Sequence, residues 1–96
     1  MAKAYVIFTE DIRDQDGLGA YSQKAMPTIA QSGAKVLVAS EDAEVLEGAW
    51  HGTRTVILEF DSPDAARAWY NSPEYQAAIP LRQAVADSNA VILPGL

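Results

Sequence analysis

Arg54-Thr55-Val56-Ile57-Leu58-Glu59-Phe60-Asp61-Ser62-Pro63-Asp64 is the stretch on which the fold turns. Val56, Leu58 and Phe60 alternate with Thr55, Ile57 and Glu59, which is the period of a β-strand with one fully apolar face and one mixed face. The strand then runs directly into a helix start. Ser62 is an N-cap residue, Pro63 fits the first helical position, and Asp64 places a carboxylate near the positive helix end. A strand over Arg54–Phe60 and a helix from Pro63 are therefore fixed together, and the rest of the chain is assigned outward from them.

Downstream, the helix continues through Tyr70. Ser72-Pro73-Glu74 then repeats the same start signal and opens a second helical piece through about Asp87. Pro80 falls inside that piece, which predicts a break there. Asn89–Leu93 is a closing strand. Upstream, Ala34–Ser40 is a strand, and Glu41–Gly52 is a mixed segment expected to extend it, with Val45 and Leu46 reaching back toward the core. Between Gly17 and Ser32 the apolar residues Leu18, Tyr21, Ala25 and Ile29 recur at steps of three and four, a helical stripe. Pro27 is expected to kink this helix or tighten its last turn, and Gly33 to end it. The acidic turn Asp11–Asp16 is placed to cap it. Lys3–Glu10, rich in β-branched and aromatic residues, is the first strand.

The order is β-α-β-β-α-β. Its simplest arrangement is an α+β, ferredoxin-like fold: a four-stranded antiparallel sheet with the helices on one face. With 96 residues, one domain spanning 1–96 is expected. On the first strand Ala4, Val6 and Phe8 form the apolar set that belongs beneath the helices. The opposite set, Tyr5, Ile7 and Thr9 with Thr55, Ile57 and Glu59, is too apolar for open water and too polar for a sealed core. It suits a sheet that meets a second sheet, and a small domain gains burial by pairing. A homodimer through this face is the expected assembly.

Composition removes several classes. There is no Cys, so disulfides, thiolate nucleophiles and cysteine-based metal centres are excluded. A net charge of −6 opposes binding to nucleic-acid phosphates. No apolar run approaches the ~20 residues of a membrane span, and no secretory leader pattern opens the chain. A cytoplasmic protein without a nucleic-acid or membrane partner is the expectation. A single His, with no metal-ligand spacing around it, predicts no metal, and no phosphate-binding glycine loop or other cofactor motif is present.

The candidate site residues cluster around the deciding strand. Glu59, if it projects into the space between two sheets, is the candidate for moving protons; the alternative is a carboxylate paired with a base such as Lys35. His51 is a second proton-transfer candidate, weighed against an ordinary surface His. Arg54 has the geometry to clamp a carboxylate, although strand parity puts it on the helix side, where Glu47 or a helix-end carbonyl is the structural partner. Trp50, Trp69 and Tyr75 are candidate pocket walls, as is Tyr21, and for all four the alternative is core or interface packing. Tyr5 and Thr9 are candidate ligand contacts on the mixed face. Ser62 and Ser72 read as caps, not nucleophiles.

Together, Tyr21 before the mid-helix Pro27, the Gly33 break, Leu46-Glu47-Gly48 with Trp50, Arg54, Glu59-Phe60 with Ser62, and Trp69-Tyr70-Asn71-Ser72-Pro73-Glu74-Tyr75 with Arg82 resemble the DUF1330 family, small bacterial proteins of unknown function. The resemblance covers nearly the whole chain, and Trp69–Tyr75 is its most specific run. It implies the dimeric α+β barrel arrangement. This chain departs from the family pattern in having Ala34 after Gly33 and in lacking a proline before Arg54. Two functions follow as expectations. One is a homodimer binding a small organic molecule, anionic or aromatic, in a cavity at the sheet–sheet interface. The other is a cofactor-independent enzyme of isomerase, lyase or oxygenase type, with Glu59 exchanging a proton and Arg54 or Tyr5 holding an anionic or enolic group.

Overall fold

The computed structural model describes residues 2–96. The chain runs β1 (Ala4–Ile12), α1 (Gln15–Ser32), β2 (Lys35–Ser40), β3 (Arg54–Phe60), α2 (Pro63–Tyr70), α3 (Pro73–Val85) and β4 (Ala86–Pro94). The four strands form one antiparallel sheet in the order β2-β3-β1-β4, the ferredoxin-like arrangement. Among the described residues no helix is long and apolar enough to cross a membrane.

Each helix starts where its capping chemistry places it. Asp14 accepts hydrogen bonds from the Asp16 and Gly17 amides, Ser62 from Ala65 and Ser72 from Tyr75. Gly33 ends α1 with φ of 79°, a left-handed conformation that glycine adopts without a Cβ penalty. Pro27 and Pro80 each lie inside a continuous helix, so the expected break at Pro80 does not occur. Both prolines are exposed. The carbonyl each leaves unbonded can be reached by water there, and packing of the opposite face holds the helix together.

The core lies between the helices and the face of Ala4, Val6, Phe8, Leu58 and Phe60. Trp69 of α2 is its centre, with ring centroids 5.4 Å from Phe60, 6.3 Å from Phe8 and 4.1 Å from Tyr75. Its indole N–H is satisfied by Thr28 Oγ1 at 3.0 Å. A buried ring system with every polar end paired is the packing unit here.

The segment 41–53 corrects the expectation drawn for it. It is a loop, not an extension of β2, and Val45 and Leu46 are exposed instead of reaching the core. The loop is anchored to β1 at its end. Thr53 N–H donates to the Glu10 carbonyl at 2.8 Å, and Gly52, with φ of 80°, lies so close to Glu10 that an added Cβ would sit 2.4 Å from that carbonyl oxygen. The strand boundaries also widen: β1 runs on to Ile12, and β4 begins at Ala86, directly after α3.

Candidate functional site

β1 and β3 pair so that Glu10 and Arg54 are direct cross-strand neighbours. Both share the parity of Phe8 and Val56, so both point beneath the helices, where a carboxylate is out of place unless it is compensated. Glu10 is 3% exposed. Arg54 Nε stands 3.6 Å from Glu10 Oε1. A second guanidinium arrives from α3: Arg82 is buried, donates to Tyr75 Oη at 3.0 Å, and lies over the Phe8 ring at 5.0 Å. The chain of contacts ends at Tyr21 of α1, whose hydroxyl is 2.7 Å from that of Tyr75.

Charge in this cluster does not balance. Two guanidinium groups, which stay protonated, face one carboxylate. Burial pushes the Glu10 carboxyl above the ordinary carboxylate range, and the pull of Arg54 and Arg82 only partly offsets it. Burial likewise raises the Tyr21 and Tyr75 hydroxyls, so both remain neutral donors. Among the described residues, Arg54 Nε and Arg82 Nε are buried side-chain nitrogens without a hydrogen-bond partner. Beside Arg54 is a cavity of about 50 Å³, bounded by Phe8, Glu10, Leu18, Tyr21, Arg54 and Val56. Ser22 and the half-exposed Met26 of α1 also line it, with Ala25, Ile29 and Leu58. It is an apolar pocket with a positive end, suited to an anion bearing a short hydrocarbon body.

The other face of the sheet is built in rows. Lys35, Glu59, Tyr5 and Leu93 are aligned across the four strands, then Val38, Ile57, Ile7 and Val91, then Ser40, Thr55, Thr9 and Asn89. An apolar band is thus flanked by two largely polar rows, and no helix among the described residues covers it. Glu59 accepts from Tyr5 Oη at 3.2 Å and lies 3.8 Å from Lys3 Nζ. The loop 41–53 closes one end of this face: Trp50 Nε1 donates to Thr55 Oγ1 at 2.9 Å, and His51 Nδ1 is 2.8 Å from Thr9 Oγ1. His51 Nε2 faces Asp87 of β4 at 3.6 Å.

The family model for a domain of unknown function, DUF1330, matches residues 3–96. The chain belongs to the DUF1330 family. No curated protein matches it. Its fold is similar to that of a protein of unknown function from Rhodopseudomonas palustris, at 23% identity and a TM-score of 0.78 over 99% of this chain and 83% of the other. It is similar too to SnoaB, a cofactor-independent oxygenase from Streptomyces nogalater, at 10% identity and 0.71 over 97% and 92%. A dimeric ferredoxin-like protein of unknown function from Jannaschia sp. matches at 13% and 0.69 over 95% and 97%. At these identities the likeness concerns the fold.

In this DUF1330 chain the candidate residues divide between the two faces of the sheet and do not form one site. Tyr5, Thr9, Trp50, His51 and Glu59 lie on the open face. Tyr21, Arg54, Trp69 and Tyr75 lie under the helices, where Trp69 and Tyr75 are core residues and only Tyr21 and Arg54 line the pocket. Two partners differ from those expected: Arg54 meets Glu10 instead of Glu47, because the exposed loop carries Glu47 away, and Glu59 meets Tyr5 and Lys3 instead of Lys35. Glu10 was not among the candidates. Its signal was parity: it continues the set Ala4, Val6, Phe8 and places a carboxylate on an otherwise apolar face. Arg82 stood in the family run but had no assigned role.

Proposed function

We propose that this protein binds a small organic anion in the pocket between α1 and the sheet, each single-domain protomer being half of a homodimer joined through the open sheet face. The observation that carries the reading is the excess of positive charge around the cavity: Arg54 in its lining and Arg82 behind it, each with an Nε–H that makes no hydrogen bond, against one carboxylate that burial disfavours as an anion. An uncompensated charge in an apolar interior costs several kcal/mol, and a carboxylate-bearing ligand supplies the missing countercharge together with acceptors for planar guanidinium donors. Size limits the ligand. A water needs at least about 10–15 Å³ of cavity, so the cavity of about 50 Å³ has closed space for about three to five water-sized groups and suits only a compact molecule.

This moves the ligand away from the sheet–sheet interface, where Glu59 is engaged by Tyr5 and Lys3. It argues equally against Glu59 as a free base. The dimer is supported by the band Val38, Ile57, Ile7 and Val91, which the chain leaves uncovered, and by the dimeric description of the Jannaschia protein of the same fold. The test is to denature protein purified from its host and analyse the released small molecules by mass spectrometry. An organic acid retained by the wild type and lost in Arg54→Met supports the reading. Equal retention by both proteins contradicts it.

A further inference from the structure

The pocket holds more than an anion site needs. Glu10 offsets one of the two buried guanidinium charges, yet it lines the pocket itself and repels the ligand that Arg54 attracts. The arrangement makes sense if the carboxylate reacts. Resting on the anion-binding reading above, we infer that the pocket catalyses proton exchange at the carbon next to the carbonyl of a short oxo acid, with Glu10 as the base and Arg54 holding the ligand's oxygens.

The step balances without a co-reactant. The C–H bond next to the carbonyl breaks, its proton passes to a Glu10 carboxylate oxygen, and the electron pair moves onto the carbonyl oxygen as an enolate. Before transfer, two guanidinium charges face the ligand's carboxylate and that of Glu10. Afterwards the ligand carries both negative charges and Glu10 is neutral. The cluster is balanced in each state, so the developing oxyanion forms beside donors already in place. Arg54 Nε makes no hydrogen bond before the ligand arrives and holds only the 3.6 Å ion pair to Glu10, which weakens as Glu10 takes the proton. Arg82 does not line the cavity. It stands behind Glu10 and Phe8, fixed by Tyr75, and acts as a positioning charge.

Three further features agree. The small cavity restricts the substrate to a compact acid, and its apolar walls, Phe8, Leu18 and Val56 among them, limit the water that competes for the enolate. Tyr21 lines the same cavity, its side chain held by the hydrogen bond between its hydroxyl and that of Tyr75. The raised Glu10 carboxyl makes its ionised form a stronger base than a solvated glutamate.

The experiment is proton NMR of pyruvate and of 2-oxobutanoate in deuterium oxide with the intact wild-type protein. Binding is followed separately, by the change in ligand line width. Saturable loss of the methyl signal of pyruvate and of the methylene signal of 2-oxobutanoate is expected. Glu10→Gln should slow exchange by about 100-fold or more while both acids still bind. Ser22→Leu, at the partly exposed outer lining, should block binding and exchange together in a folded protein, which keeps the test valid if Glu10→Gln fails to fold. Binding without exchange overturns the catalytic inference and leaves the anion site standing. Absence of binding overturns both, and exchange unaffected by Ser22→Leu places the reaction outside this pocket and ends the proposal.

Discussion

Two glycines with nearly the same backbone conformation make the anchoring of the loop beside Glu10 measurable. Gly33 has φ of 79° and open space where a Cβ would go, whereas Gly52 has φ of 80° and the backbone of Glu10 in that space. Gly33→Ala should therefore cost only the left-handed backbone penalty, about 1–2 kcal/mol, reduced by the entropy alanine removes from the unfolded chain. Gly52→Ala carries the same penalty and a clash as well. Its Cβ would stand 2.4 Å from the Glu10 oxygen and 2.5 Å from the carbonyl carbon, about an ångström inside ordinary contact, and backbone cannot rotate away. Overpacking of that kind costs about 1–3 kcal/mol. If the loop lifts instead, the Thr53–Glu10 hydrogen bond is lost at about 1 kcal/mol. The sum is about 2–4 kcal/mol for Gly52→Ala against about 1 for Gly33→Ala. For a chain of this size each kcal/mol lowers Tm by about 4–8 °C. Thermal unfolding of both variants and the wild type at one protein concentration is the assay. Equal shifts for the two would refute the close approach of the loop to Glu10.

Other consequences are open to measurement. Tyr75→Phe keeps the ring stacked on Trp69 but strands Arg82 Nη1 and the Tyr21 hydroxyl; a loss of about 2–3 kcal/mol is expected in urea unfolding, and a change under about 0.5 kcal/mol would remove the network from the account. Glu10 titrates above its ordinary value of 4.5 when folded, so its protonated form is the one the fold favours. Its contribution is complete below 4.5 and fades as pH rises through the raised value; the wild type should thus gain stability relative to Glu10→Gln on acidification across that window, and a gain on raising the pH would reverse the sign of the argument. Ile57→Glu puts a charge in the middle of the apolar band, which should yield monomers in sedimentation velocity at concentrations where the wild type is dimeric; an unchanged dimer would mean that the copies meet elsewhere.

What could be read from the residues follows a physical rule. Alternation on Arg54–Phe60 and Lys3–Glu10, with the caps at Ser62 and Ser72, is local chemistry, and it placed strands, helices and faces without tertiary knowledge. The departures arise where tertiary context decides. Pro80 was expected to break α3, yet its ring sits on the exposed side of a helix held by its buried face. Val45 and Leu46 are apolar and expected inward, but the loop is held to the sheet mainly through Trp50–Thr53 at its end, which leaves them exposed. Side-chain reach, which the residue order does not carry, pairs Glu59 with Lys3 and Tyr5 instead of Lys35 and Arg54 with Glu10 instead of Glu47. The pocket was half visible: Tyr21 and Arg54 were recognised, whereas Glu10 was passed over because it was read as the polar end of a strand when its parity placed it beneath the helices.

The central claim is that Arg54 presents a buried, unpartnered donor to an organic anion. Arginine Nε–H resonances report it directly in nitrogen-resolved NMR of labelled protein titrated with pyruvate. The Arg54 signal should shift saturably, with one ligand per protomer, while residues of the open face such as Thr55 and Ile57 stay in place. An Arg54 signal that never moves, or shifts confined to the open face, would contradict the account.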